Sequence, residues 1–400
     1  LLLYPLKQLW LAITEEMLLG LAVLTGILLS SSALSPVLAH LLQTIPFPFF
    51  PLTLKSWLNE GLLSLFFAIL GVELRADFEV GPLKDWRKAL FPLSAAIAAL
   101  IIPVLLAVSV VYLSPYNEAG FRGWGIPAAS APVLTMPLLT LAAYLPSSIK
   151  TFVRAVLVFD DIFAVAILIC FYGNSPHLLW LAFAGILSLA LALIGQFIKT
   201  NLRYKPYAFQ IMLPIAFFLW ITLCKAGTPA SMAGLILGVT LPHRPGHAMI
   251  RNLAHPVAWL ILPLFAICNT AIDLRSFSPV FFESATFLGP LVGFALGKPI
   301  GIFLAIFLCE KAGLKAPWKK KYRHWLIGAV MSCALGFTVS LLMTQLAYDN
   351  PLWQMQAQAG IGLASVMATL IAVYFLKRSD KKVMKEKKAR HTPKAKHGMA

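Results

Sequence analysis

Two adjacent carboxylates and one amine stand where apolar sequence should exclude them. Asp160 and Asp161 lie midway along RAVLVFDDIFAVAILICF, and Lys298 lies midway along FLGPLVGFALGKPIGIFLAIFL. A carboxylate can exchange a proton for a cation, and an ammonium group can neutralise a neighbouring carboxylate. Charge at the centre of a spanning helix costs about 2.5–3.5 kcal/mol on insertion scales, so such groups persist where they face a cavity or a partner. Adjacent helical positions are ~100° apart, so the two acids cannot point the same way. One is expected to face a water-filled ion path while the other pairs elsewhere, and Lys298 is the only intramembrane cation available for that pairing. The alternative is a buried Asp–Lys strut. Two acids against one base, and the poor stabilisation that buried pairs provide, weigh against it.

These groups need elements to position them, and two spans carry signs of breakage. GWGIPAASAPVLTMPLLTLAAYL places Pro127, Pro132 and Pro137 five residues apart. Each proline removes a backbone donor, which predicts an interruption near Ala128–Ser130. GAVMSCALGFTVSLLM carries Gly336 between Cys333 and Thr338. Broken helices are tolerated in a membrane only where their backbone lines a cavity or is buried in protein. Residues 90–172 and 284–376 then correspond as two three-helix units, each with its middle helix interrupted, the inverted-repeat pattern of secondary transporters. Gly293, Gly297 and Gly301 form a GxxxGxxxG face beside Lys298 and read as helix packing.

The frame is a membrane. Of 400 residues, 59% are hydrophobic and only 12% charged, against roughly 25% charged in a soluble domain. Twelve apolar spans are expected, near 17–41, 57–75, 90–113, 122–142, 151–172, 177–198, 206–225, 228–242, 255–274, 284–309, 324–348 and 355–376. Glu15 and Glu16 precede the first, and no small-residue cleavage site follows, so it reads as a retained span. The proline-rich TIPFPFFPLTLKS suits an extended or hairpin connection. With the N-terminus in the cytoplasm, 28 of the 33 Lys and Arg fall on the cytoplasmic side and four on the other. That bias predicts both termini inside. The net charge of +17 is therefore a membrane-topology signal and calls for no nucleic acid; ten Lys and Arg sit in the tail at 377–400, expected to be a disordered cytoplasmic extension of one transmembrane domain at 1–376. The five cysteines form no CxxC pair and the eight histidines no zinc spacing, so no resident metal or cofactor is expected.

FFAILGVELRADFEVG (66–81), GWGIPAAS (123–130), FDDIFA (159–164), KAGTPASMAGLILG (225–238), HPVAWLILPLFAICN (255–269), GKPIGI (297–302) and CALGFTVS (333–340) occur in this order. In these motifs, from about residue 15 to 376, the chain resembles the NhaA-type sodium/proton antiporters. The resemblance implies an all-α polytopic fold of about twelve helices, with two interrupted helices crossing at an Asp pair. It implies alternating access in a bacterial inner membrane, exchange of sodium or lithium for protons, and a homodimer to which residues 44–56 contribute. By that match Asp161 ligates the cation and exchanges it for protons, Asp160 pairs with Lys298, Ser130 lends a hydroxyl oxygen, and Glu73 matches a glutamate at the cytoplasmic end of the second span. Ala131 replaces the family's aspartate, Pro229 a histidine and Arg251 a glutamate, departures that imply an altered ion affinity or pH profile. A non-transporting or differently selective homologue with a regulatory or interaction role is the competing expectation. GKP in mid-helix lacks a P-loop's glycine-rich loop, so energy must come from ion gradients.

Overall fold

The computed structural model describes residues 18–46, 50, 52–79, 86–117, 119, 121–172, 177–270 and 272–391. Among them the chain is helical, with no strand beyond one isolated bridge between Tyr116 and Ser284. The helices are α1 (Leu18–Ser31), α2 (Ser35–Gln43), α3 (Leu63–Glu79), α4 (Trp86–Leu113), α5 (Pro132–Thr140), α6 (Ser147–Phe171), α7 (Leu178–Thr200) and α8 (Ala208–Ala226). They continue with α9 (Met232–Thr240), α10 (His243–Pro256), α11 (Leu262–Asn269), α12 (Ala285–Val292), α13 (Lys298–Lys311), α14 (Leu326–Ser332), α15 (Thr338–Ala347) and α16 (Pro351–His391). Short π-helical segments at Trp57–Leu62, Val257–Ile261 and Gly293–Gly297 join neighbouring helices into longer rods.

Among the described residues seven rods are long and apolar enough to cross a membrane. α7 shows why a membrane is required: Leu179 is 78% exposed, Ile186 63%, Leu189 60% and Leu193 63%. Such a continuous apolar face needs an apolar solvent. The protein is a multi-pass membrane protein. α6 also has 25 residues, enough for ~37 Å, but it carries Lys150, Arg154, Asp160 and Asp161.

Two features differ from a plain reading of the sequence. The span expected over 17–41 bends by 107° between α1 and α2. Ser32 causes part of this: its Oγ donates to the Leu29 carbonyl at 2.8 Å and accepts from the Leu34 N–H at 3.1 Å. A serine that bonds nearby backbone offers an alternative to the helical ladder, and Pro36 then starts the next helix. The second feature is the tail. Helix α16 continues through the basic segment to His391, while 392–400 lie outside the described residues. Lys, Glu, Arg and Ala are strong helix formers, and tertiary contacts hold the extension. Asp380 accepts the Ala143 and Tyr144 N–H groups at 2.9 and 3.0 Å, and Ser379 Oγ donates to the His324 carbonyl at 3.1 Å. The expected hairpin falls partly outside the described residues, since 47–49 and 51 are not described; Leu54 N–H donates to the Thr44 carbonyl at 2.8 Å.

Glycine seams set the helix spacing. α9 lies against α3 so closely that a Cβ on Gly234 would sit 1.8 Å from the Ser64 carbonyl oxygen, and one on Gly238 2.2 Å from that of Ala68. Gly234→Ala must therefore push two backbones apart. Overpacking of this kind costs about 1–3 kcal/mol, read as a lowered thermal midpoint of the full chain in detergent. An unchanged midpoint would mean the seam tolerates separation. The GxxxGxxxG face behaves as its sequence suggests: Gly293 meets Pro127, Gly297 meets Pro103 and Gly301 meets the Ala98 carbonyl. That seam fixes α13 against α4 and the turn at Ile126–Ala128, which decides where Lys298 reaches.

Candidate functional site

The two expected interruptions are present and meet. In the first, a 3-10 turn at Ile126–Ala128 gives way to extended backbone at Ala129 and Ala131 before α5 starts at Pro132. Pro127 sits in the turn and Pro132 at the first turn of α5, the position where a missing N–H costs nothing. In the second, α14 stops at Ser332 and α15 starts at Thr338. Gly336 lies between them, its N–H and carbonyl both bonded to Ser365 Oγ at 3.1 Å. A Cβ there would come 2.6 Å from the Phe294 ring, so the break also needs a residue without a side chain.

The broken segments satisfy one another's backbone. Ala131 N–H donates to the Leu335 carbonyl at 2.7 Å. Ser130 Oγ donates to the Cys333 carbonyl at 2.6 Å, Thr135 Oγ1 to that of Ser332 at 2.7 Å, and Ser340 Oγ to that of Ala129 at 2.9 Å. Backbone groups freed by a break in a low-dielectric interior must find partners, and hydroxyls flanking both breaks supply them. Thr135 and Ser340 escaped the reading of the sequence. Their signal was there, as short hydroxylated side chains within a few residues of each break.

Lys298, with no exposed surface, binds this crossing. Its Nζ donates to the Ala128 carbonyl at 2.7 Å, to Ser130 Oγ at 2.9 Å and to Asp160 Oδ2, with which it forms an ion pair. Asp160 Oδ2 also accepts the Ser130 N–H at 2.8 Å, while its Oδ1 has no hydrogen-bond partner among the described residues. Lys298 therefore neutralises one carboxylate and caps the carbonyl end of the 3-10 turn. Ser130 Oγ is committed to Lys298 and Cys333, so cation ligation by this hydroxyl requires that arrangement to loosen.

Asp161 points elsewhere. It lines a cavity of about 320 Å³ whose wall includes Pro132, Met136 and Leu157, with Arg154 and Glu73 among the charged groups. Glu73 lies on the exposed part of α3. The structure thus gathers Ser130, Asp160 and Lys298 into one hydrogen-bonded cluster and puts Asp161 and Glu73 on a common cavity. Pro127, Gly336 and Thr338 shape the breaks. Among the described residues no group of three His, Cys, Asp or Glu side chains could hold a metal ion.

A second buried polar cluster was not anticipated. Asn59 Nδ2 donates to Gln345 Oε1 at 2.6 Å, Asn269 Nδ2 to Asn59 Oδ1 at 2.7 Å, and Gln345 Nε2 to Asn269 Oδ1. Glu60 accepts the Ser231 N–H at 3.0 Å ahead of α9, as an N-terminal cap does. Single amides in apolar runs were the only sequence trace of the first of these.

Comparison with known proteins agrees with this architecture. The profile of the family described as Na+/H+ antiporter 1 matches residues 10–376. The chain is 30% identical over 373 residues to a Na(+)/H(+) antiporter NhaA of Vibrio cholerae, covering 90% of this chain and 94% of the relative. It is 32% identical over 334 residues to one of Legionella pneumophila (81% and 84% covered), and 30% over 345 residues to one of Rhizobium etli (82% and 84%). In fold it is similar to the sodium proton antiporter MjNhaP1 of Methanocaldococcus jannaschii at pH 8, with a TM-score of 0.56 at 16% identity, over 96% of this chain and 99% of the other. With two broken helices crossed at a buried Asp–Lys pair, and with these relatives along most of its length, the chain belongs to the Na+/H+ antiporter 1 family.

Proposed function

We propose that this protein exchanges sodium or lithium for protons by alternating access across a bacterial inner membrane, with both termini in the cytoplasm. In this reading the chain crosses twelve times, and units 90–172 and 284–376 form inverted repeats around the crossing. Residues 1–376 act as one transport domain, and two copies associate as a homodimer. The observation that carries the proposal is Asp161 on the wall of a cavity, next in sequence to an acid already neutralised by Lys298.

Coupling follows from electrostatics. A low-dielectric site does not hold an uncompensated carboxylate, because removing an ionised group from water is prohibitive without a partner. Lys298 is bound to Asp160, so Asp161 takes either a proton or a cation when the cavity closes. The two occupants compete for one carboxylate, and that competition is antiport. The cation arriving at Asp161 also competes with Lys298 for Ser130 Oγ, while Oδ1 of Asp160, which Lys298 leaves unbonded, is open to it. Glu73 and Arg154 mark the approach to the cavity, on the cytoplasmic side in the proposed orientation. Reconstitution into proteoliposomes tests the whole reading: an imposed sodium gradient is expected to generate a ΔpH. Its absence from correctly inserted protein would favour the non-transporting alternative.

Ala131 gives that alternative a specific footing. It is 1% exposed and precedes α5, whose N-terminus and that of α15 both begin at the crossing. Helix N-termini each carry about +0.5 of an elementary charge. Lys298 serves the carbonyl end at Ala128, and no acidic side chain occupies either N-cap. A net positive field disfavours a cation. Ala131→Asp is therefore expected to tighten sodium about fivefold, the equivalent of ~1 kcal/mol for a charge at a helix end, measured as the half-saturating sodium concentration in proteoliposomes. An unchanged value in folded protein would mean that backbone carbonyls already balance the field.

A further inference from the structure

Two cavities away from Asp161 share Gln358 in their walls. One, of about 300 Å³, has a mixed wall that includes the polar side chains of Lys55, Thr53, Gln43 and Gln354. Ser30 and Ser35, at the bend between α1 and α2, also line it. The other, of about 590 Å³, is an apolar cleft between α1, α15 and α16, walled by Val23, Leu24, Phe337 and Leu363. Leu24 and Val366, both 57% exposed, flank its opening toward the lipid-facing surface.

Several observations point to a ligand spanning both. Lys55 is half-buried, and no carboxylate pairs with it among the described residues. Gln358, 4% exposed, lines both cavities, and its Oε1 has no hydrogen-bond partner among the described residues. Thr270 Oγ1 in the cleft wall is in the same condition. Buried polar atoms without partners cost about 1–3 kcal/mol each, and the described residues supply none for these atoms. The cleft also has room: a Cβ on Gly20 or Gly362, both in its wall, would meet nothing within 4 Å.

We propose that the two cavities, on either side of Gln358, together hold one phospholipid, its phosphate on Lys55 and one acyl chain in the apolar cleft. The chemistry matches at each level. The ammonium of Lys55 meets an anionic phosphate, the Thr270 hydroxyl donates to an ester carbonyl, and Gln358 Oε1 accepts from a headgroup or glycerol donor. Lys55 lies at the start of its rod (Leu54–Ala76) beside the 107° bend, where a long cationic side chain keeps its head at the membrane boundary. The acyl chain lies along Gly336 and Phe337, so the lipid supports the broken segment.

The test uses the full chain, delipidated in detergent and titrated with dioleoyl phosphatidylglycerol while native mass spectrometry counts bound lipids. One lipid is expected to bind more tightly than the rest. Lys55→Gln is expected to weaken it about tenfold, the loss of one charge-assisted contact. Gly362→Leu fills the cleft and is expected to displace the lipid without lowering the thermal midpoint of the delipidated protein. Dioleoylglycerol, which lacks the phosphate, binds at least tenfold more weakly, and millimolar inorganic phosphate leaves the lipid in place. Retention of the lipid at wild-type strength by both variants overturns the proposal. Displacement by inorganic phosphate also overturns it, by showing a free-anion site instead.

Discussion

Asp161→Asn is expected to reduce sodium-driven ΔpH to the level of protein-free liposomes while the protein stays inserted and folded. An amide has nearly the shape of the carboxylate, so packing around the 6%-exposed side chain is preserved. It is neither a proton carrier nor a counter-charge for a cation, so both halves of the exchange are lost together. Thermal midpoints of the two proteins should agree closely, which separates loss of chemistry from loss of fold. Wild-type exchange in this variant would remove Asp161 from the mechanism and leave Glu73 as the remaining acid on the cavity.

Lys298→Ala is expected to destabilise the protein by about 3–5 kcal/mol, because it leaves Asp160 charged, buried and without its partner. The Ala128 carbonyl and Ser130 hydroxyl lose a donor in the same step. Asp160→Asn in the double variant removes the stranded charge and should restore most of that stability. Recovery remains incomplete because the Ala128 carbonyl is still uncapped. A double-mutant cycle on thermal or denaturant unfolding gives the coupling directly. Simple additivity of the two losses would mean that the ion pair is not the source of the stability.

The amino-acid sequence by itself determined the solvent, the places where charge enters the membrane and the places where helices break. Each has a local cause. Scarcity of charge over runs of about 20 residues can be read without knowing any neighbour. Pro127 and Pro132 remove backbone donors by their own covalent structure. The chemical types at Asp160, Asp161 and Lys298 are likewise written in the chain, and the glycine face of α13 was legible as packing.

Only the tertiary structure decided which neighbours each acid meets. Adjacency separates the two carboxylates by ~100°, but the direction of each depends on how α6 is rotated against its neighbours. That rotation puts Asp160 on Lys298 and Asp161 on the cavity. The bonds that close the crossing, such as Ala131 to Leu335 and Thr135 to Ser332, join residues about 200 positions apart, beyond the reach of any local pattern. The same holds for the amide cluster of Asn59, Asn269 and Gln345 and for the two cavities that share Gln358. The bend after α1 was not anticipated, and the tail was expected to be disordered, for a related reason. Composition reports whether a segment suits lipid or water, whereas its direction and order depend on which distant groups its backbone finds, here Asp380 reaching Ala143 and Tyr144.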